Sequence, residues 1–193
     1  DLTEEESKVL VKGYLDNWTK ANLPPMLPRV FDQTKVTKII KKIDKDLTQA
    51  NIILGNIGIS RNNPDYYAVS IMNYILGGGG FSSRLMQSIR DDMGLAYDVD
   101  SSFYKKKKKG IFQIEVQTKN ESAGLVISEI VKQMARIRKE QVFDEELSDA
   151  KSYLTGSFMR RLDTNRKIAD FLAYVEFYNL GLDYIEKYPA YIN

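Results

Sequence analysis

The chain has 193 residues, enough to bury a core, and its 43% hydrophobic and 28% charged content is that of an ordinary globular protein. A formal charge of +2 is too small to argue for nucleic acid, and no apolar run is long enough for a membrane span. With no cysteine and no histidine, the chain can hold no disulfide, no thiol nucleophile and no Ser-His-Asp triad, and it lacks the commonest zinc ligand.

The chain opens on Asp1 rather than Met, which reads as a piece of a longer polypeptide. Thr3 to Trp18 reads as a helix, with Thr3 as cap, Glu4, Glu5 and Glu6 at the positive end of the dipole, and Leu10, Tyr14 and Trp18 on one face. Leu23 to Pro28, with three prolines, reads as an extended linker, so the main domain is expected from Phe31. Val36 to Ile43 reads as a strand with exposed lysines. Thr48 to Ser60 reads as a second strand, in which Gly55 and Gly58 suggest close approach by a packed helix or another backbone.

Asn63-Pro64-Asp65 predicts a helix start, with Asn63 at the cap and Pro64 at the first helical position. Tyr67, Ile71, Tyr74 and Ile75 would point inward, and Gly77 would end the helix. After Gly77-Gly78-Gly79-Gly80-Phe81, Ser82 or Ser83 is expected to cap a short helix bearing Leu85, Met86 and Ile89, closed by Gly94. Leu95 to Tyr104, five lysines, Gly110 and the alternating Ile111 to Thr118 predict a β-hairpin with a solvated, lysine-rich turn. Asn120 is expected to cap an amphipathic helix running through Ile127, Ile130, Val131, Met134 and Ile137. Asp144 would cap the next helix, and Thr164 would open the last, ending at Leu180-Gly181. Strands followed by a run of helices predict an α+β fold, a mostly antiparallel sheet with helices packed on one face.

Four consecutive glycines lose much conformational entropy on folding and call for a reason. A phosphate loop fails: the sixth position from Gly77 is Ser82, and Ser83 stands where lysine belongs. The dinucleotide fingerprint fails as well, because serine occupies the third glycine position and the run follows a helix. A plain connector explains glycine but not the Phe81-Ser82-Ser83-Arg84 that follows at once. The remaining reading is a loop lying against a peptide backbone. The adjacent carboxylates Asp91 and Asp92 do not make a cation site. Arg90 and Tyr97 can face the same space around the loop. An arginine fork can hold a carbonyl and a tyrosine hydroxyl can donate to an oxyanion, but spacing alone favours a surface ion pair and a core-edge tyrosine.

Leu76 to Leu85, Ile89-Arg90 and Gly94-Leu95-Ala96-Tyr97 together resemble the C-terminal half-domain of the M16 zinc metallopeptidases, as do Asn51 to Tyr67, Glu146 to Lys151, Gly156-Ser157-Phe158 and Arg161 to Asn165. The resemblance covers most of the chain after Phe31. Residues 1–30 resemble the tail of a preceding half-domain with its connector, leaving 31–193 as the C-terminal-type domain. It implies two α+β halves enclosing a peptide substrate, with zinc held by a His-x-x-Glu-His motif in the other half and no metal in this one. It further implies that Arg90 holds a substrate carbonyl, that Tyr97 helps stabilise the tetrahedral intermediate at zinc, and that Gly77, Gly78, Gly79, Gly80, Phe81, Ser82 and Ser83 bind substrate. The implied partners are the zinc-bearing half-domain and a peptide, with no nucleic acid and no membrane span, and the chain alone is expected to be inactive. An alternative is an inactive scaffold or interaction subunit of the same fold. A lysine-mediated nucleic-acid binder ranks last.

Overall fold

The computed structural model describes residues 2–19, 22 and 38–193. They fall into two units, Asp1–Asp44 and Lys45–Asn193. The first contains helix α1 (Glu4–Leu15), begun by a capping box in which Thr3 and Glu6 satisfy each other's backbone N–H groups. No residue of α1 is buried. The Pro-rich linker, the expected domain start at Phe31 and the beginning of the Val36–Ile43 strand lie outside the described residues. The described part, 38–43, has no strand structure, contrary to expectation, and Ile39, Ile40 and Ile43 are exposed. Adjacent Ile39 and Ile40 would point to opposite sheet faces, so no one-sided burial holds this run in a strand.

The second unit is built on a three-stranded antiparallel sheet, β1 (Gln49–Ile57), β2 (Ala96–Tyr104) and β3 (Ile111–Lys119), in the order β1-β3-β2. Period-two alternation sorts its residues. Ile52 opposes Val116 and Leu54 opposes Ile114 on the inner face, whereas Ile53 and Glu115 face outward. The inner face packs against Leu76, Leu85, Ile89, Val126 and Ile130 to form the first core. Helices cover one face of this sheet, the α+β layering that the strand-then-helix order predicts. Of the two β1 glycines only Gly58, just beyond the strand, is tightly approached. A Cβ there would stand 3.1 Å from the backbone at Ile111 and Phe112, against 3.5 Å at Gly55.

Helix α2 (Tyr66–Asn73) starts later than Asn63 predicts, because the Asn63 carboxamide accepts from the Asp65 N–H and forms a turn before the helix. Helix α3 (Ala123–Lys139) buries Val126, Glu129, Ile130 and Gln133, leaving Ile127 and Val131 exposed. The inward stripe is thus rotated from the expected one. Asn120 does not cap α3; its amide donates to the Leu47 carbonyl at 2.7 Å and ties the turn before β1 to the end of β3. Helix α4 (Asp144–Phe158) takes Asp144 as its first residue, and the Glu146 carboxylate reaches back to accept from the Phe143 N–H at 3.0 Å.

Helix α5 (Asn165–Tyr178) is capped by Thr164, whose hydroxyl accepts from the Lys167 N–H, and ends on left-handed Asn179. The sequence reading ends the last helix at Leu180-Gly181 and misses a further helix, α6 (Tyr184–Ile192), which holds Pro189 within it. Its buried residues Tyr184, Tyr188 and Ile192 recur every four positions and join Phe158, Phe171 and Val175 in a second, aromatic core. Among the described residues no helix is long and apolar enough to cross a membrane.

Candidate functional site

The glycine run begins inside one π-helical segment, Tyr74–Gly78, and leads on to a second, Met86–Asp92. The Gly79 N–H reaches the Tyr74 carbonyl at 2.9 Å and the Met93 N–H reaches Ser88 at 3.1 Å, so each closing bond spans five residues. Such segments are rare and concentrate at functional sites. The expected helix stop at Gly77 is instead a widened turn that carries the chain to Gly78.

Packing accounts for the glycines. A Cβ on Gly77 would stand 2.6 Å from the Ser101 hydroxyl and 2.8 Å from the Ser101 nitrogen, and one on Gly79 would lie 2.7 Å from the Tyr74 carbonyl. These approaches are intramolecular: the bare backbone lets the turn settle onto β2 and onto its own preceding turn. Gly80 differs, with φ +58° and open space where a side chain would go. Gly78, Gly80, Phe81 and Ser82 are exposed, whereas Ser83 is fully buried. Ser83 does not cap the following helix as expected; its hydroxyl donates to the Gly80 carbonyl at 2.7 Å and closes the loop on itself.

Arg90 and Tyr97 lie together beside this loop. The Arg90 guanidinium stands 4.6 Å from the Phe81 ring centroid and 5.8 Å from that of Tyr97. Its Nη1 also bonds Asp91 at 3.0 Å. Tyr97 is 86% exposed and so is not a core-edge residue. The pairing of β2 with β3 slips between Ala96 and Val99, a β-bulge that contains Tyr97. Gly94, at φ +63°, lets the chain leave the second π segment and enter that strand. The structure therefore gathers Phe81, Arg90 and Tyr97, and buries Ser83 away from them.

Two supports of this cluster escaped the sequence reading. Arg84, 7% exposed, makes a two-pronged bond to Glu146, with Nε and Nη2 each 2.6 Å from a carboxylate oxygen. The Arg84 hydrogen bonds hold the Glu146 carboxyl below its ordinary range. The Ser88 hydroxyl, on the same π segment as Arg90, donates to the buried Glu129 at 2.5 Å, and Gln133 donates to the same oxygen at 2.7 Å. Burial raises the Glu129 pKa, but these bonds and Lys132 outweigh it, leaving a net lowering. A sequence signal existed only for the first: Arg84 closes the Phe81-Ser82-Ser83-Arg84 run and needs a counter-charge once buried.

As a zinc site this chain does not fit. It has no histidine or cysteine, and among the described residues no group of three or more acidic side chains converges.

The family described as the peptidase M16 inactive domain matches residues 1–154. The chain is 37% identical over 115 residues to an uncharacterized zinc protease of Rickettsia bellii, covering 60% of this chain and 28% of that protein. It is 36% identical over 139 residues to the non-peptidase homolog YmxG of Helicobacter pylori, covering 69% and 31%. Among solved structures, the peptidase M16 inactive domain from Pseudomonas fluorescens superposes with a TM-score of 0.69 at 38% identity, covering 75% of this chain and 34% of that one. The chain thus spans about a third of the length of these relatives.

Proposed function

The chain belongs to the peptidase M16 inactive-domain family, the non-catalytic domain type of zinc proteases, and from that premise we propose that it lines a peptide chamber and completes the active site of a zinc-bearing half. The observation that carries this reading is the solvent-facing trio at the glycine turn, Arg90 over Phe81 and beside Tyr97 on its bulge. Arg90 donates its fork to a main-chain carbonyl of the peptide. Tyr97 donates its hydroxyl to the oxygen that gains charge as the scissile carbonyl becomes tetrahedral. Gly78, Gly80, Phe81 and Ser82 form the wall the peptide runs along. Residues 1–30 belong with the zinc half and its connector, and 31–193 form the inactive-type domain. Zinc is held by the partner half, in the same polypeptide or as a separate subunit.

The test is reconstitution with a zinc-bearing half and turnover of a fluorogenic peptide. Tyr97→Phe should lower kcat about 100-fold with little change in KM, because its bond strengthens only in the transition state. Arg90→Ala should raise KM. Unchanged turnover in both variants would overturn these roles. A second reading, an inactive scaffold subunit, is favoured by the name of the Helicobacter pylori relative, a non-peptidase homolog. It predicts an assembled complex with no turnover and no effect of either substitution.

A further inference from the structure

The aromatic core encloses a guanidinium without a carboxylate. Arg61, 3% exposed, lies between β1 and α2 with its central carbon 3.7 Å from the Tyr66 ring centroid. Its Nε donates to the Tyr174 hydroxyl at 2.6 Å, and its Nη2 to the hydroxyls of Tyr184 at 2.9 Å and Tyr67 at 3.4 Å. Among the described residues no acidic side chain forms an ion pair with it. Burying a charge this deeply costs several kcal/mol unless an opposite charge or full hydrogen bonding offsets it. Aromatic faces and neutral hydroxyls return only part of that cost. Among the described residues its side-chain hydrogen bonds all go to neutral tyrosine hydroxyls, so the charge itself meets no opposite charge.

More positive charge gathers at the same place. Lys105 also stands over the Tyr66 ring, 4.4 Å from its centroid, and its ammonium donates to Ser70 at 3.0 Å. The first lysine of the hairpin turn is therefore not solvated as the sequence predicts, while Lys106 to Lys109 are exposed. Burial, then the charges of Arg161 and Arg61, bring the Lys105 pKa down to about 8.

Tyr174 also lines a cavity of about 340 Å³, together with Phe171, Arg160, Arg161, Lys167 and Asp170. Lys167 is offset by Asp163 at 2.8 Å, and Arg160 lies by Tyr153. Arg161 rests 5.4 Å from the Phe158 ring centroid and forms no ion pair among the described residues. The single carboxylate of the lining, Asp170, leaves the cavity with a net positive charge.

We propose that this cavity is a binding site for a small oxyanion, a carboxylate or a phosphate group. Arg160 and Arg161 take it at the mouth, the Tyr174 hydroxyl donates to it from the wall, and Arg61 and Lys105 supply the field behind. The anion provides the negative charge that this corner lacks. The site lies outside the Phe81–Arg90–Tyr97 cluster and does not depend on the peptidase reading.

The experiment is calorimetric titration and thermal melting of the 193-residue chain at pH 7 and constant ionic strength. The probes are inorganic phosphate, a short peptide with a free terminal carboxylate, the same peptide as its amide, and sodium chloride. Saturable heat and a raised Tm with phosphate or the free-acid peptide, absent with the amide and chloride, are expected. Phosphate alone would identify a free-ion site, and the free-acid peptide alone a site for a chain end. Arg161→Gln should weaken either about tenfold, and Tyr174→Phe should weaken it without removing the electrostatic part. Lys108→Gln, in the exposed turn, should change nothing. No saturable response to either probe, a response matched by chloride, or affinity undiminished in Arg161→Gln would overturn the site.

Discussion

Arg84 and Lys105 are both cations drawn out of water, with opposite consequences. Arg84 meets Glu146 in a two-pronged ion pair, so removing one partner leaves the other only partly solvated. Arg84→Met should destabilise the fold by about 3 kcal/mol in urea melts at pH 7. Because Arg84 lowers the folded pKa of Glu146, the pair's contribution is present above the unfolded value and is lost as pH falls through the folded one. The gap between wild type and Glu146→Gln should therefore shrink as melts are taken below pH 4.5. Among the described residues the Lys105 ammonium meets Ser70, the Tyr66 ring and other cations, and no carboxylate. Its folded pKa of about 8 lies below the ordinary 10.5, so the unfolded chain binds its proton more tightly and stability rises with pH between those values. Lys105→Met should stabilise the protein at pH 7 by roughly 1–3 kcal/mol, a gain that disappears above the upper value. A variant less stable than wild type at pH 7 would contradict that sign.

The element that matters most is the glycine turn that closes the first π segment and leads to the second. Its glycines answer to different constraints, and melting curves can separate them. Gly77→Ala would drive a methyl into Ser101 and should cost about 2 kcal/mol or more. Gly80→Ala meets no neighbour and bears only the left-handed backbone strain, about 1 kcal/mol. Equal costs, or the reverse order, would remove the packing explanation. The hairpin of β2 and β3 and the helices α3, α4 and α5 were legible because alternation, helical periodicity and breakers occur within a few residues of each other, although of the three expected caps only Thr164 caps its helix. The π turns, the bulge at Tyr97 and helix α6 were not. The first π turn leaves no local mark when the residue it packs against, Ser101, is more than twenty positions away, and α6 is held by burial of Tyr184, Tyr188 and Ile192 in spite of Pro189.

At the scale of the whole molecule, the exposed apolar side chains of α1 stand out. It carries apolar side chains and buries none, and Trp18, the chain's single tryptophan, is 80% exposed. If residues 1–30 belong with a zinc-bearing half, adding that half should shift Trp18 fluorescence to the blue. Leu10→Asp with Tyr14→Asp should weaken association at least tenfold, by about 1.4 kcal/mol or more, while leaving the melting of the isolated chain unchanged. An unshifted Trp18 in the assembled complex would separate α1 from that partner.

By itself the sequence determined the α+β class, an antiparallel sheet with helices on one face, and the absence of any histidine or cysteine for a zinc site of its own. These are properties of composition and local periodicity. It also marked Arg90, Tyr97 and the glycine run as belonging together, through their nearness in the chain. Only the tertiary structure decided that Gly77 and Gly79 serve internal packing, that Ser83 is buried, and that Arg90 lies over Phe81. It alone brought Arg61, Lys105 and Arg161 to one corner, because charges far apart in sequence meet only when packing brings them there.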